Sequence, residues 1–151
     1  MKQVRKSVLL WYSAAEMYEL VTDVERYPQF LPWCSSAGVL ERHSDGITAR
    51  LGLSYMGIKR SFTTRNRHSE ARSVQIELVD GPFASLNGTW LFQPIGKVDK
   101  PETKACKIEF ELRYAFAGSS LDFAISPVFD RIANTFVDAF VERAAAVYGA
   151  R

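Results

Sequence analysis

The sequence predicts an α+β domain: a curved antiparallel sheet of about six to seven strands wrapped around one long C-terminal helix, with two short helices after strand 1. Three observations lead there. Residues 127–148 carry an unbroken helical pattern with a broad apolar face. The middle of the chain is a succession of short alternating runs separated by Gly, Asp, Ser and Pro. Polar, charged or small residues alternate with the apolar ones in those runs, giving a sheet with one wet face, as consecutive antiparallel hairpins allow. The other face of such a sheet needs a cover, and the terminal helix is the element long enough to supply it.

Residues Gln3 to Trp11 alternate, with Val4, Val8 and Leu10 on one side, and read as the first strand. Ser13 caps a short helix from Ala14 to Val21, with Glu16 placed to complete a capping box. Asp23 opens a second short turn that Pro28 ends or kinks. The stretch from Tyr27 to Cys34 is aromatic and bracketed by Pro28 and Pro32, which excludes a regular helix or a central strand. Ser36 to His43 leads into the turn Ser44-Asp45-Gly46, and Ile47 to Tyr55 continues the meander to a tight reversal at Gly57. The next strand sets Ile58, Arg60, Phe62 and Thr64 against Lys59, Ser61, Thr63 and Arg65. Val74, Ile76 and Leu78 form another, closed by Asp80-Gly81-Pro82. Trp90 and Phe92 alternate in the sixth, and a polar loop from Lys97 to Lys104 is expected to be the most mobile part. Cys106 to Phe116 gives the cleanest alternation in the chain. Ser126-Pro127 reads as the N-cap and first position of the last helix. Its polar stripe is Arg131, Asn134, Thr135, Asp138 and Glu142; its apolar face is Phe129, Ile132, Phe136, Phe140 and Val147, with Ala133 and Ala144 among them.

The 151 residues fit one domain spanning 1–151, and 47% hydrophobic with 24% charged residues is ordinary for a globular protein. A net charge of +2 is too small by itself to imply a nucleic-acid partner, and no DNA partner is expected. Cys34 and Cys106, without CxxC or Cys/His spacing, give neither a disulfide framework nor a metal site. No apolar run reaches membrane-spanning length, and the strand pattern after Met1 is neither a signal nor a transit peptide, so a cytoplasmic protein is expected. Paired carboxylates, a Ser/His/Asp set and a phosphate loop are absent. His43 and His68 stand alone, and Asp80 reads as turn chemistry, so no catalytic residue is expected.

A sheet wrapping a helix is either solid or hollow. Polar residues on the inward face (Lys6, Tyr55, Arg60, Thr64, Asn66 and Tyr114), together with Arg143 on the flank of the helix's apolar face, suit a pocket with a few polar handles. They suit equally a solid core whose polar residues sit at the rim.

Three motifs carry a resemblance over nearly the whole chain: Tyr27-Pro28-x-Phe30-x-Pro32-Trp33-Cys34, then Gly81-Pro82-Phe83-x-x-Leu86-x-Gly88-x-Trp90-x-Phe92, then Ala139-Phe140-x-x-Arg143-Ala144-x-x-Val147-Tyr148-Gly149. In this order and spacing the chain resembles the START-like coenzyme-Q-binding proteins, a family that includes the bacterial ribosome association toxins. The resemblance implies a helix-grip fold with a lipid-accommodating tunnel between sheet and helix. It implies non-catalytic binding of ubiquinone or a similar isoprenoid lipid, in support of respiratory electron transfer. The alternative it implies is a toxin–antitoxin protein that binds the large ribosomal subunit and blocks subunit association. A cyclase- or dehydrase-type enzyme is a more distant third. No covalent cofactor is expected, and the missing presequence resembles a bacterial member.

On that basis Phe30, Trp33, Phe83, Trp90, Phe92, Phe110, Tyr114, Phe116, Phe129, Phe136 and Phe140 are expected to line the tunnel, with Arg60, Asn66 and Arg143 as donors to quinone oxygens. Phe30, Leu31 and Trp33 form either a rigid lip at the tunnel mouth, touching a membrane surface peripherally, or a plug of ordinary core. Lys59, Arg65 and Arg67 share the outer face of one strand. They form either a solvated face or a patch for ribosomal RNA or anionic lipid, whose binding would be salt-sensitive.

Overall fold

The computed structural model describes residues 1–55, 57–96, 104–118 and 120–151, with the side chains of 120–125 excepted. Its elements are β1 (Lys2–Leu10), α1 (Ala14–Thr22), a 3-10 helix (Val24–Gln29), β2 (Cys34–His43), β3 (Gly46–Tyr55), β4 (Ile58–Ser69), β5 (Ser73–Asp80), β6 (Phe83–Pro94), β7 (Cys106–Phe116) and α2 (Ser120–Tyr148). The seven strands make one antiparallel sheet in the order β1-β7-β6-β5-β4-β3-β2. β2 through β6 follow one another as a meander, β7 pairs with β6, and β1 closes onto β7. The polar loop expected from Lys97 lies outside the described residues, apart from Lys104.

Local chemistry explains the early elements. Ser13 Oγ accepts from the Glu16 amide at 3.0 Å while Glu16 Oε1 accepts from the Ser13 amide at 2.9 Å, so the capping box is complete. Pro28 is accommodated inside the 3-10 helix and does not end it. At the β3–β4 reversal Gly57 takes φ 80°, a left-handed conformation that a side chain would oppose. Gly46 has both a positive φ and no room: a Cβ there would lie 1.9 Å from the Asn66 carbonyl oxygen.

Bulges bend the sheet. The register slips between Val39 and Glu41 on β2 and between Thr63 and Thr64 opposite Leu78 to Asp80 on β5, leaving Leu40 and Val79 as extra residues. Both point outward and are exposed, a consequence of the bulges and not of a docking face. A third slip, at Ala84, lets β6 begin at Phe83 and curve against the start of α2.

The last helix departs from its expected start. α2 begins at Ser120 and carries Pro127 inside it, so Ser126 is not its N-cap. Proline lacks one N–H and crowds the preceding turn, but a helix held along its length by packing tolerates that loss. The buried side of α2 is Phe129, Ile132, Ala133, Val137, Phe140 and Ala144. Val147, expected inward, is exposed, because the last turn meets α1 and not the sheet. Tyr148 takes the inner place there, 6.2 Å from the Tyr12 ring, with its hydroxyl donating to the Glu16 carbonyl.

Candidate functional site

Between the concave face of the sheet and α2 lies a cavity of about 70 Å³ with an almost wholly apolar wall. Of the aromatics expected around it, Trp33, Trp90, Phe110, Phe129 and Phe136 line it. Phe30, Phe83, Phe92, Tyr114, Phe116 and Phe140 do not: they pack behind the wall or against each other. Phe83, Phe116 and Phe129 form one cluster with centroids 4.9–5.8 Å apart, and Tyr114 joins it at 4.9 Å from Phe129. Phe92 stacks on Trp90, and Phe140, fully buried, packs edge-on against Trp90, Phe136, Tyr27 and Phe30. This ring network fills most of the space between helix and sheet. The cavity is therefore a small apolar pocket in place of the lipid-accommodating tunnel expected.

Other wall residues escaped the sequence reading. Val21, Val24 and Tyr27 come from α1 and the 3-10 helix, and Leu51, Phe62 and Leu86 from the strands. The strand residues were legible as inward-facing. The helical ones were not, since nothing in an eight-residue amphipathic pattern shows which element it covers.

Of the three polar handles, Asn66 alone reaches the cavity. It and its strand neighbour Thr64 are both buried on the wall, and Thr64 Oγ1 donates to Asn66 Oδ1 at 2.8 Å. The Asn66 amide nitrogen then has no acceptor among the described residues and remains a donor for a ligand carbonyl. Arg60 stays at the sheet end, its Nη1 donating to the Lys59 carbonyl at 3.0 Å. Arg143 lies outside the pocket, donating to Gln29 Oε1 at 2.9 Å with its guanidinium 5.1 Å from the Phe30 centroid. Of the other inward polar positions, Lys6 is exposed and Tyr55 sits at the rim. Tyr114 is buried and donates to Asp130 Oδ1 at 2.6 Å, which with burial pushes its phenol pKa upward.

Of the two readings of Phe30, Leu31 and Trp33, the plug fits: Leu31 and Trp33 are buried and Phe30 is partly buried. Leu31 is 1% exposed and Trp33 9%, with Trp33 6.2 Å from Phe136. The prolines on either side deliver these residues into the core. Cys34, beside them, donates to the Ser36 carbonyl, and burial pushes its thiol up to about 11, an inert state.

The basic strand face is largely self-neutralised. Arg65 pairs with Asp45 and donates to the Asn66 carbonyl at 2.7 Å; Arg67 reaches Asp45 at 3.9 Å and Glu77 at 3.2 Å. Of the three expected patch residues, Lys59 alone is exposed without such a partner among the described residues.

The family model described as polyketide cyclase/dehydrase and lipid transport matches residues 10–141. The chain belongs to that family. Within the polyketide cyclase/dehydrase family it is similar to the ribosome association toxin of Escherichia coli K12, 42% identical over 151 residues, covering all of this chain and 92% of the relative. It is 28% identical over 145 residues to a mitochondrial coenzyme Q-binding protein homologue of Xenopus laevis, covering 95% of this chain but 58% of that one. An aromatase/cyclase from a Streptomyces species shares the fold, with a TM-score of 0.79 at 15% identity and 99% coverage of both chains. No described helix is long and apolar enough to cross a membrane.

Proposed function

We propose that this protein binds the large ribosomal subunit and hinders its association with the small one, acting in the cytoplasm without catalysing a reaction. The observation that carries the reading is the 42% identity to a ribosome association toxin over 151 residues, all of this chain and 92% of the relative. The state of the cavity supports it: at about 70 Å³ the space is several-fold smaller than the roughly 300–1,000 Å³ of ligand pockets. Sedimentation tests it. Added to dissociated subunits under reassociating conditions, the protein is expected in the large-subunit fraction, with associated ribosomes depleted. Protein that stays at the top of the gradient while the ribosome peak is unchanged overturns the reading.

A second reading rests on Asn66. An apolar wall with one unpaired amide donor suits a hydrophobic molecule bearing a carbonyl, the chemistry of a quinone, and the Xenopus coenzyme Q-binding relative supports that class. The two readings use different parts of the molecule and are compatible.

A further inference from the structure

We propose that the end of the β3–β4 hairpin, with the exposed flank of α2 beside it, is the surface that contacts RNA, and that it does so through phosphates and one stacked base. This deepens the ribosome-binding reading and rests on it. Four cations lie along this hairpin and beside it, Arg50 and Lys59 on the outer face of the sheet and Arg60 and Arg131 on the other side. On the outer face, Arg50 donates to Ser61 Oγ at 3.0 Å, and Lys59 is the next outward residue along β4. On the rim, Arg60 is diagonal to Tyr55 across the β3–β4 ladder, and Tyr55 shares a surface groove with Arg131 of α2. None of the four has a carboxylate within ion-pair distance among the described residues, whereas Arg5, Arg26, Arg42, Arg65, Arg67, Arg113 and Lys107 all do; Lys6, Arg72, Lys104 and Arg143 are likewise without one there, but are scattered over other parts of the chain. Asp80 on β5 sits opposite Thr63, the ladder partner of Arg50, and makes no ion pair with Arg50.

Cations already paired must give up a carboxylate to meet a phosphate; these four need not, so counterion release is fully available to them. Tyr55 adds what the outer face lacks. Tyr55 is 38% exposed, diagonal to Arg60 on the ladder and in one groove with Arg131, and an exposed ring near cations is a platform for an unpaired base. A lipid surface fits less well. Leu9, Trp11 and Ile95, exposed apolar groups suited to insertion, lie at the opposite end of the sheet, where β1 and β6 finish.

The test uses the full chain, purified large subunits, deproteinised large-subunit RNA and anionic phosphatidylglycerol vesicles. The variant Arg50→Glu/Lys59→Glu/Arg60→Glu is compared with Lys6→Glu/Arg72→Glu/Lys104→Glu, which makes the same charge change at exposed sites elsewhere, after thermal melts establish that both fold. The hairpin variant is expected to lose at least about tenfold in affinity for subunits and for RNA, and its salt slope to fall by about 2. Tyr55→Ala is expected to weaken binding several-fold with the salt slope unchanged. Equal weakening by both triple variants, or loss of vesicle binding with RNA binding intact, overturns the surface. If subunits bind and the hairpin variant binds them as well as wild type, the surface fails while the ribosome reading stands. If RNA binds through the hairpin but assembled subunits do not bind, the ribosome reading fails and the surface stands. Binding to neither removes both.

Discussion

Thr64 and Asn66 are the buried polar residues among the described side chains, and they satisfy each other only in part. Thr64→Val removes the donor and leaves Asn66 Oδ1 buried without a partner, which costs about 1–3 kcal/mol. Thr64→Val with Asn66→Leu removes both partners and is expected to recover most of that loss in chemical denaturation. A double variant less stable than the single one would mean the pair is held for stability and not for a ligand. Asn66 was legible from alternation alone, as a polar residue on an apolar strand face. Arg60 and Arg143 looked equivalent on the same logic and are not. Their side chains are long enough to leave the face their Cα atoms occupy, and neither strand nor helical periodicity follows a guanidinium past its Cβ.

At the level of elements, α2 is the part the sequence described best and bounded worst. Phe129, Ile132, Ala133, Phe140 and Ala144 of its apolar face were read correctly and buried Val137 was missed, while proline at 127 looked like a start because that is where proline costs least. With the helix beginning at Ser120, Pro127 is an interior residue. Pro127→Ala is therefore expected to stabilise the protein by about 1–3 kcal/mol, as restored backbone hydrogen bonding outweighs lost contact in the groove. A neutral or destabilising result in thermal melts would return the helix start to Ser126. The other end of α2 is fixed to α1 by Arg151, whose guanidinium makes a two-pronged bond to Glu16 at 2.8 and 3.0 Å and lies 5.0 Å from the Tyr12 ring. That pairing, against the opposing effect of burial, lowers the Glu16 pKa to about 2. Because the folded-state pKa lies below the ordinary glutamate value of 4.5, the contribution is complete above pH 4.5 and lost as pH falls towards 2. Solvent screening limits it to about 1 kcal/mol. Arg151→Ala should flatten the pH dependence of stability across that window in acid titrations at fixed denaturant. An unchanged acid limb would mean the clamp does not act in solution.

For the whole molecule, the layer order was legible because the strands alternate apolar residues with polar, charged or small ones and the chain holds one long amphipathic helix. How tightly the layers close was not legible, since the same phenylalanines serve as wall or as filling depending on distances that no periodicity encodes. Phe136 is where that distinction becomes measurable. Its ring lies 5.0 Å from Phe140, 5.7 Å from Phe110 and 5.8 Å from Trp90, and it forms part of the cavity wall. Phe136→Ala removes that ring from a site the neighbours cannot fully refill, at a cost of about 2–4 kcal/mol, or a Tm lower by about 5–12 °C. The same substitution widens the cavity beside Asn66. A short-chain quinone, titrated by quenching of the Trp33 and Trp90 emission, is then expected to bind the variant more tightly than the wild type, whose rings must first be displaced. Subunit binding, placed at the β3–β4 hairpin, should not change. If quinone affinity falls with Phe136→Ala while stability falls as expected, the wall position of the ring matters more than the space it occupies, and the small cavity is already the binding shape. If subunit binding falls too, cavity and ribosome surface are coupled through α2, which bears both Phe136 and Arg131 less than two turns apart on one helix.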